Sequence, residues 1–303
     1  MSDQAPIYVV IADFDGWQQT KVCLHSLERS SYGNFRVIVV DHGLSDETAR
    51  GLADYPSCTR ISAEPSLWWA GATNVGIRAA IEDGAQYIML LNNDCYVTES
   101  TIEKLVEKFD GTTEKIIAPL QISAQTGEEF AGKVTTCFAL GFPTLVLPWA
   151  KDLHGQSEGL VSTNLIVGGR GVVIPCSVFN EVGLFDEANL PHYGADHDFY
   201  LRCRQANVQL AIAPDAIVSI DETKTTVAKN LQDMTFSQFI SSFRDTRSHR
   251  NLEMLTILFK RYYPIKSLYF IGVFLNVLRY FLSYLFARIV RQFAMMRSRK
   301  DTE

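Results

Sequence analysis

Three apolar runs, each closed by a carboxylate or an amide, constrain this chain more than any other feature. They are IYVVIA (Ile7 to Ala12, followed by Asp13), FRVIVVD (Phe35 to Asp41) and YIMLLNND (Tyr87 to Asp94). Each is continuous rather than alternating, so each predicts a strand covered on both faces, as in a parallel sheet. Helical patterns separate them: Gln18 to Ser30, the SDETARGLADY segment, and Ala72 to Asp83. Strands alternating with helices imply βαβ units and a doubly wound α/β sheet, whose ligands sit at the carboxyl ends of the strands. Asp13, Asp15, Asp41 and Asp94 all fall at that edge.

The end of the third run is the sharpest case. Leu90-Leu91-Asn92-Asn93-Asp94 passes straight from a buried strand into two amides and an acid. A turn explains this, since Asn and Asp cap their own turns. So does a hard divalent cation, Mg²⁺ or Mn²⁺, held by oxygen ligands beside a diphosphate. Carboxylates gathered at one edge repel one another unless a cation or hydrogen-bond donors lie between them, which favours the cation. Further along, Asp196 and Asp198 stand two apart in GADHDF, and either could serve as a general base. Trp69 lies just before a helix start, with a face suited to a sugar or a base, and the Gly71 to Asn74 segment could turn helix N–H groups toward a ligand.

Composition narrows the partners. The chain has 303 residues and a formal net charge of -6, so nucleic acid is a poor expectation. Six scattered cysteines form no CxxC pair and no disulfide-like framework. The first apolar run has no basic region before it and reads as a strand, not a signal peptide. The stretch from Lys115 to Leu165 reads as an insertion or side sheet, with LIVGGRGVVIP, which carries Arg170, after it. The tail from Tyr262 to Lys300 is dominated by aromatic and aliphatic residues. Lys266, Asn276, Arg279, Ser283, Arg288 and Arg291 gather on one half of a helical circumference. A basic amphipathic helix, or two in succession, on an anionic membrane surface fits this better than a span; packing on its own domain or in a dimer is the other possibility. The expected division is a sheet domain over 1–225, with residues 1–110 binding the nucleotide and residues 111–225 facing the acceptor, and a helical region over 226–303.

In order along the chain, VIADFDG (Val10 to Gly16), VVDHGLSDET (Val39 to Thr48), Ala72-Thr73-Asn74-Val75-Gly76, LLNND (Leu90 to Asp94), GGRGVVIPCSVFNEVGLFDE (Gly168 to Glu187) and GADHDFYLRCRQAN (Gly194 to Asn207) resemble the motifs of the family 2 glycosyltransferases. The resemblance covers roughly Ile7 to Ile220. It implies a GT-A fold, Rossmann-like and mainly parallel with flanking helices, followed here by the amphipathic helical tail. It implies a metal-dependent, inverting transfer from a UDP- or dTDP-sugar to a glycan or lipid-linked acceptor. Bacterial rhamnosyl and galactofuranosyl transferases share these motifs. The setting would be surface polysaccharide synthesis at the cytoplasmic face of the inner membrane, as a peripheral protein and a possible homo-oligomer.

By position, the resemblance gives Asp94 to the cation with Asn92 assisting. It gives Ala12, Asp13, Asp15, Asp41, Trp69, Gly71, Asn74, Asn93 and Arg170 to the nucleotide-sugar, and Asp196 to proton abstraction. The chain also departs from the pattern. Ala195 stands where the family usually has Glu, and Asp198 is a rival base. No His follows the last strand, so Asp221 is the candidate substitute metal ligand. A nucleotidyltransferase would need a Gly-rich, basic loop after the first strand, and ADFDGWQQTK lacks one. A non-catalytic binding or scaffold subunit is the remaining alternative, kept open by Ala195.

Overall fold

The computed structural model describes residues 6–109, 114–129, 133–147, 159–221, 231 and 233–300, with side chains described as far as 292. The first half alternates as far as β4: β1 (Ile7–Asp13), α1 (Trp17–Glu28), β2 (Phe35–Asp41), α2 (Glu47–Leu52), β3 (Cys58–Ser62), α3 (Trp68–Glu82), β4 (Tyr87–Leu91), then β5 (Cys95–Val97) and α4 (Thr101–Glu107). Then come β6 (Lys115–Ser123), β7 (Lys133–Cys137), β8 (Phe142–Leu147), β9 (Val161–Ser162), β10 (Arg170–Pro175), α5 (Cys176–Val182), α6 (Ala195–Gln205) and β11 (Gln209–Ile220). Helices α7 (Phe236–Ser241), α8 (Leu252–Tyr262) and α9 (Tyr269–Lys300) end the chain.

The main sheet runs β3-β2-β1-β4-β10-β6-β11-β5, with β9 added against β11. Strands β3, β2, β1 and β4 run parallel, and the continuous apolar runs of β1, β2 and β4 fit their burial on both faces, while β3 is a polar edge strand. Beyond β4 the sheet becomes mixed: β10 is antiparallel to both neighbours, while β6 and β11 are parallel. The chain leaves β1 toward β2 on one side and returns to β4 on the other. The crevice beyond Asp13 and Leu91 is therefore a topological switch point, where ligands of such sheets bind.

The expectation for residues 115–165 needs correction for one strand. β6, read as belonging to an insertion, is a central strand between β10 and β11, and its first six residues are buried. Its Pro119 cannot donate to a ladder, and the register with β11 slips at that residue, from Ala213↔Pro119 to Ile217↔Leu120. β7 and β8 do form a separate two-stranded sheet. Residues 148–158 lie outside the described residues.

The chain divides into two compact units. One comprises 1–135 and 146–223; the other comprises 136–145 and 224–303. The first is built on the sheet, with Val9, Ile11, Leu24, Met89, Ile117 and Val218 at its core. The second has its own small core of Met234, Phe239, Phe243 and Tyr284.

Candidate functional site

Every candidate residue of the sequence lies in the sheet unit, at the carboxyl edge of the parallel strands, on the loops beside it or on α3 and α6. The acids at that edge are managed in different ways. Asp13, the last residue of β1, is fully buried and accepts from Gly16 N (3.1 Å), Thr20 Oγ1 (2.9 Å), Asn93 Nδ2 (2.8 Å) and Thr48 Oγ1. Three of these donors meet Oδ1 and only the Thr48 hydroxyl meets Oδ2, so Oδ2 keeps acceptor capacity. Asp13 thereby braces the end of β1 against α1, α2 and the turn after β4. Asn93 is drawn into that brace, donating also to Thr20 Oγ1. Asp15, at φ 52°, accepts from Leu44 N (2.9 Å) and Ser45 N (2.8 Å) and so shapes the loop after β2. The Ser45 N–H is the main reason its pKa lies below the usual carboxylate range.

Asp41 ends β2 beside Asp13, with Ala12 one step back in register with Val40. Its Oδ2 meets both Arg60 Nε (2.9 Å) and Nη2 (2.8 Å), while Oδ1 has only a long contact from Gly43 N at 3.4 Å. Asp41 Oδ1 thus retains acceptor capacity toward a ligand. Next to it His42 is buried, its Nδ1 without a partner and its ring 5.3 Å from that of Phe14. Burial lowers its pKa, against the pull of Asp13, Asp41 and Asp15. Sequence reasoning passed over His42; its place directly after a strand-ending acid was the available signal.

The helix after the tryptophans begins earlier than expected, at Trp68 rather than near Gly71. Gly71 and Asn74 therefore lie inside α3. Asn74 is buried and faces the 184–187 loop, donating to Phe185 O (2.9 Å) and Glu187 Oε2 (2.7 Å) and accepting from Phe185 N (3.1 Å). These bonds staple α3 to that loop. Trp69 sits edge-on to Phe185 and donates Nε1 to Asn92 Oδ1 at 3.1 Å. This tie joins α3 to the end of β4. Gly169 makes room for it: a Cβ there would lie 3.2 Å from the Trp69 ring and 3.3 Å from Asn92 Oδ1.

Asn92 N donates to Gly169 O at 2.6 Å, and Asp221 N donates to Asp94 O at 2.8 Å. The ends of β4, β10 and β11 are thereby knotted around Asp94. Burial, reinforced by Asp221, pushes the Asp94 carboxyl above its usual range, while the Cys95 thiol and Arg170 oppose this. Asp221 itself accepts from Tyr96 Oη (3.3 Å) and Gln125 Nε2 (3.0 Å). Arg170 donates to Gln121 Oε1 at 3.1 Å.

A divalent cation fits this donor set. Two carboxylates and the Asn92 amide offer hard oxygens, and a cation would supply the charge that buried Asp94 lacks. Among the described residues no three His, Cys, Asp or Glu side chains form a metal cluster. The set suits a cation that keeps waters and takes some of its shell from a phosphate-bearing ligand.

The other acids lie on the first turn of α6. Asp196 accepts from Gly168 N (2.7 Å) through Oδ2 and pairs with His197 Nδ1 (2.9 Å) through Oδ1. Burial alone would raise its pKa, but the charge and hydrogen bond of His197 and the N–H groups of Gly168 and His197 bring it down to about 2. Asp198 is fully buried and tied to Arg202 Nε at 2.8 Å. Arg202 also donates to Val182 O (2.6 Å) and Leu184 O (2.8 Å). Asp196 keeps 9% exposure, whereas Asp198, the rival base of the sequence reading, has none and forms half of a core ion pair. The turn leading into β10 links the two centres: Gly168 holds Asp196, Gly169 holds Asn92, and Arg170 borders Asp94.

Residues 8–158 match the model of glycosyl transferase family 2. Among curated proteins, a dTDP-rhamnosyl transferase of Shigella flexneri is 25% identical over 182 residues, covering 60% of this chain and 58% of that protein. An uncharacterized protein of Mycobacterium tuberculosis is 26% identical over 178 residues, 57% of this chain and 62% of that one. The matched stretch thus spans little more than half the length of either relative. Among solved structures, GalNAc-T7 with UDP, GalNAc and Mn²⁺ superposes with a TM-score of 0.62 at 15% identity, over 91% of this chain and 55% of that one. A mannosyltransferase of Pyrobaculum calidifontis with GDP-Man and Mn²⁺ gives 0.57 at 12% identity, over 94% and 74%. At such identities the likeness is one of fold, and that fold is GT-A.

Proposed function

The chain belongs to glycosyl transferase family 2, matched over residues 8–158, and on that premise we propose that it moves a sugar, with inversion, from a UDP- or dTDP-sugar to a hydroxyl of a glycan or lipid-linked acceptor. The dTDP-rhamnosyl transferase among its relatives supports the dTDP alternative. We place the reaction in bacterial surface polysaccharide synthesis, at the cytoplasmic face of the inner membrane.

One observation carries the reading: buried Asp94, with its raised pKa, and ionised Asp196 are positioned by successive residues of one strand entrance, Gly168 to Arg170. Asp94, Asp221 and Asn92 would hold Mg²⁺ or Mn²⁺, which when bound neutralises charge on the diphosphate leaving group. Asp41 Oδ1 accepts from the nucleoside, and Arg170 meets a phosphate. Asp196 takes the proton of the acceptor hydroxyl as its oxygen bonds to the anomeric carbon. The bond from that carbon to the diphosphate breaks on the opposite face, and the diphosphate leaves with the electron pair.

Calorimetric titration with UDP, dTDP and GDP, with and without Mn²⁺, tests this on the parent chain and on Asp94→Ala. One nucleoside diphosphate is expected to bind in a metal-dependent way, at least tenfold more weakly in the variant. Absence of binding by all three under both conditions would overturn the reading and favour a scaffold subunit.

A further inference from the structure

The C-terminal unit presents a face that the sheet site does not use. Helix α9 packs one half of its circumference onto its own unit. Tyr284 stacks on Phe239 with centroids 4.5 Å apart and donates to Met234 O at 3.3 Å. Asn276 is fully buried and donates Nδ2 to Gly141 O at 2.7 Å. Arg279 lies over the rings of Phe142 and Tyr280, and Arg291 pairs with Asp233 at 3.4 Å. The half that the sequence reads as polar is therefore partly covered by the protein itself. The opposite half is apolar and open: Phe270, Phe274, Leu278, Leu282, Phe286 and Ile289 recur at three- and four-residue steps. Phe274 is 62% exposed and Phe286 69%.

Isolated exposed hydrophobics need no explanation, but a stripe along a helix of this length does. From Met254 to Lys300 the chain carries nine Lys and Arg and no Asp or Glu, on a protein whose net charge is -6. A second copy laid against the stripe would bring two basic helices together with no acidic partner in that segment. An anionic bilayer supplies both the apolar phase and the opposite charge. Lys266–Gln292 is also long and apolar enough to cross a membrane by length and composition. A crossing would carry Asn276, Arg279, and the Arg291–Asp233 pair into hydrocarbon, or strip the helix from α7 and α8.

From this we infer that α9 docks in the plane of an anionic membrane, its Phe270-to-Ile289 stripe sunk below the headgroups and its Asn276–Arg279–Tyr284 side held by the protein. The inference deepens the membrane placement proposed above and is independent of which sugar is transferred.

The full chain is tested by co-sedimentation with phosphatidylcholine vesicles, with and without 30% phosphatidylglycerol. Binding is expected only to the anionic vesicles and to fall at least tenfold in Phe274→Glu/Leu282→Glu. That variant should still bind the nucleoside diphosphate, which shows that its sheet unit is folded. Tryptophan placed singly at Phe270, Leu278 and Phe286 and quenched by brominated lipids should report one shared shallow depth. A depth gradient along the helix would overturn docking in favour of a span. Mass doubling by light scattering without lipid, abolished in the double variant, would assign the stripe to a second copy. Vesicle binding unchanged in the double variant would remove the stripe from the interface. A chain that docks but binds no nucleotide would sink the transferase reading and leave this inference standing.

Discussion

Asp196 and Asp198 are two residues apart and chemically identical, yet they belong to different regions of the protein. Once α6 begins at Ala195, residues two apart point roughly 200° away from each other, so one faces the site and the other the core. The sequence displayed both acids but not the first residue of the helix, and that omission kept Asp198 as a rival base. Asp196→Asn is expected to lower turnover by about 10²–10⁴-fold while nucleotide binding persists. Arg202→Leu, which strands Asp198 in the core, should instead lower unfolding stability by about 3–5 kcal/mol in urea titrations. Equal losses of activity and stability in both variants would merge the two roles. The His197 pair adds a pH signature. Its pKa is raised because Asp196 outweighs burial, so its stabilising contribution is complete below the unfolded value near 6.5 and disappears as pH rises through the folded value. Asp196 works in the other direction, losing its contribution only as pH falls toward about 2. Stability should therefore decline as pH rises from near 6.5 through the raised folded value, and His197→Gln should flatten that decline.

The elements hold these residues by close approach. Helix α3 lies so near the sheet that a Cβ on Gly76 would fall 2.4 Å from Val10 Cγ1. Gly76→Ala should cost about 1–3 kcal/mol of stability as an overpacking change. Val10→Ala in the same chain should return some of that loss, and the double-mutant cycle read from urea unfolding measures how much. Strict additivity would mean that the helix shifts without pressing on β1. Local readings of the chain located this helix and the parallel strands well, because continuous apolar runs and 3.6-residue periodicity are local properties. They misplaced β6, since KIIAPLQIS is equally apolar whether central or in a side sheet, and strand order is fixed by distant partners. The brace around Asp13 was invisible for the same reason: Thr20, Thr48 and Asn93 converge only after three strands align.

At the scale of the whole chain, two hydrophobic cores of unequal size underlie the two separate ligand preferences proposed above. The sheet unit holds every residue proposed for the donor, the cation and the base; the C-terminal unit holds the apolar stripe and most of the basic charge around it. A ligand that binds only the native form of one unit stabilises that unit by RT ln(1 + [L]/Kd), about 2.7 kcal/mol at a hundredfold excess over Kd. Scanning calorimetry should then resolve two transitions. Nucleoside diphosphate with Mn²⁺ should raise the larger one by roughly 5–10 °C, given a shift of about 2–4 °C per kcal/mol for a domain of this size. Anionic vesicles should raise the smaller one alone. If nucleotide moved both transitions equally, the units would unfold as one cooperative body, and membrane docking would be thermodynamically coupled to donor binding. The size of the shift in the smaller transition on adding nucleotide therefore measures that coupling directly.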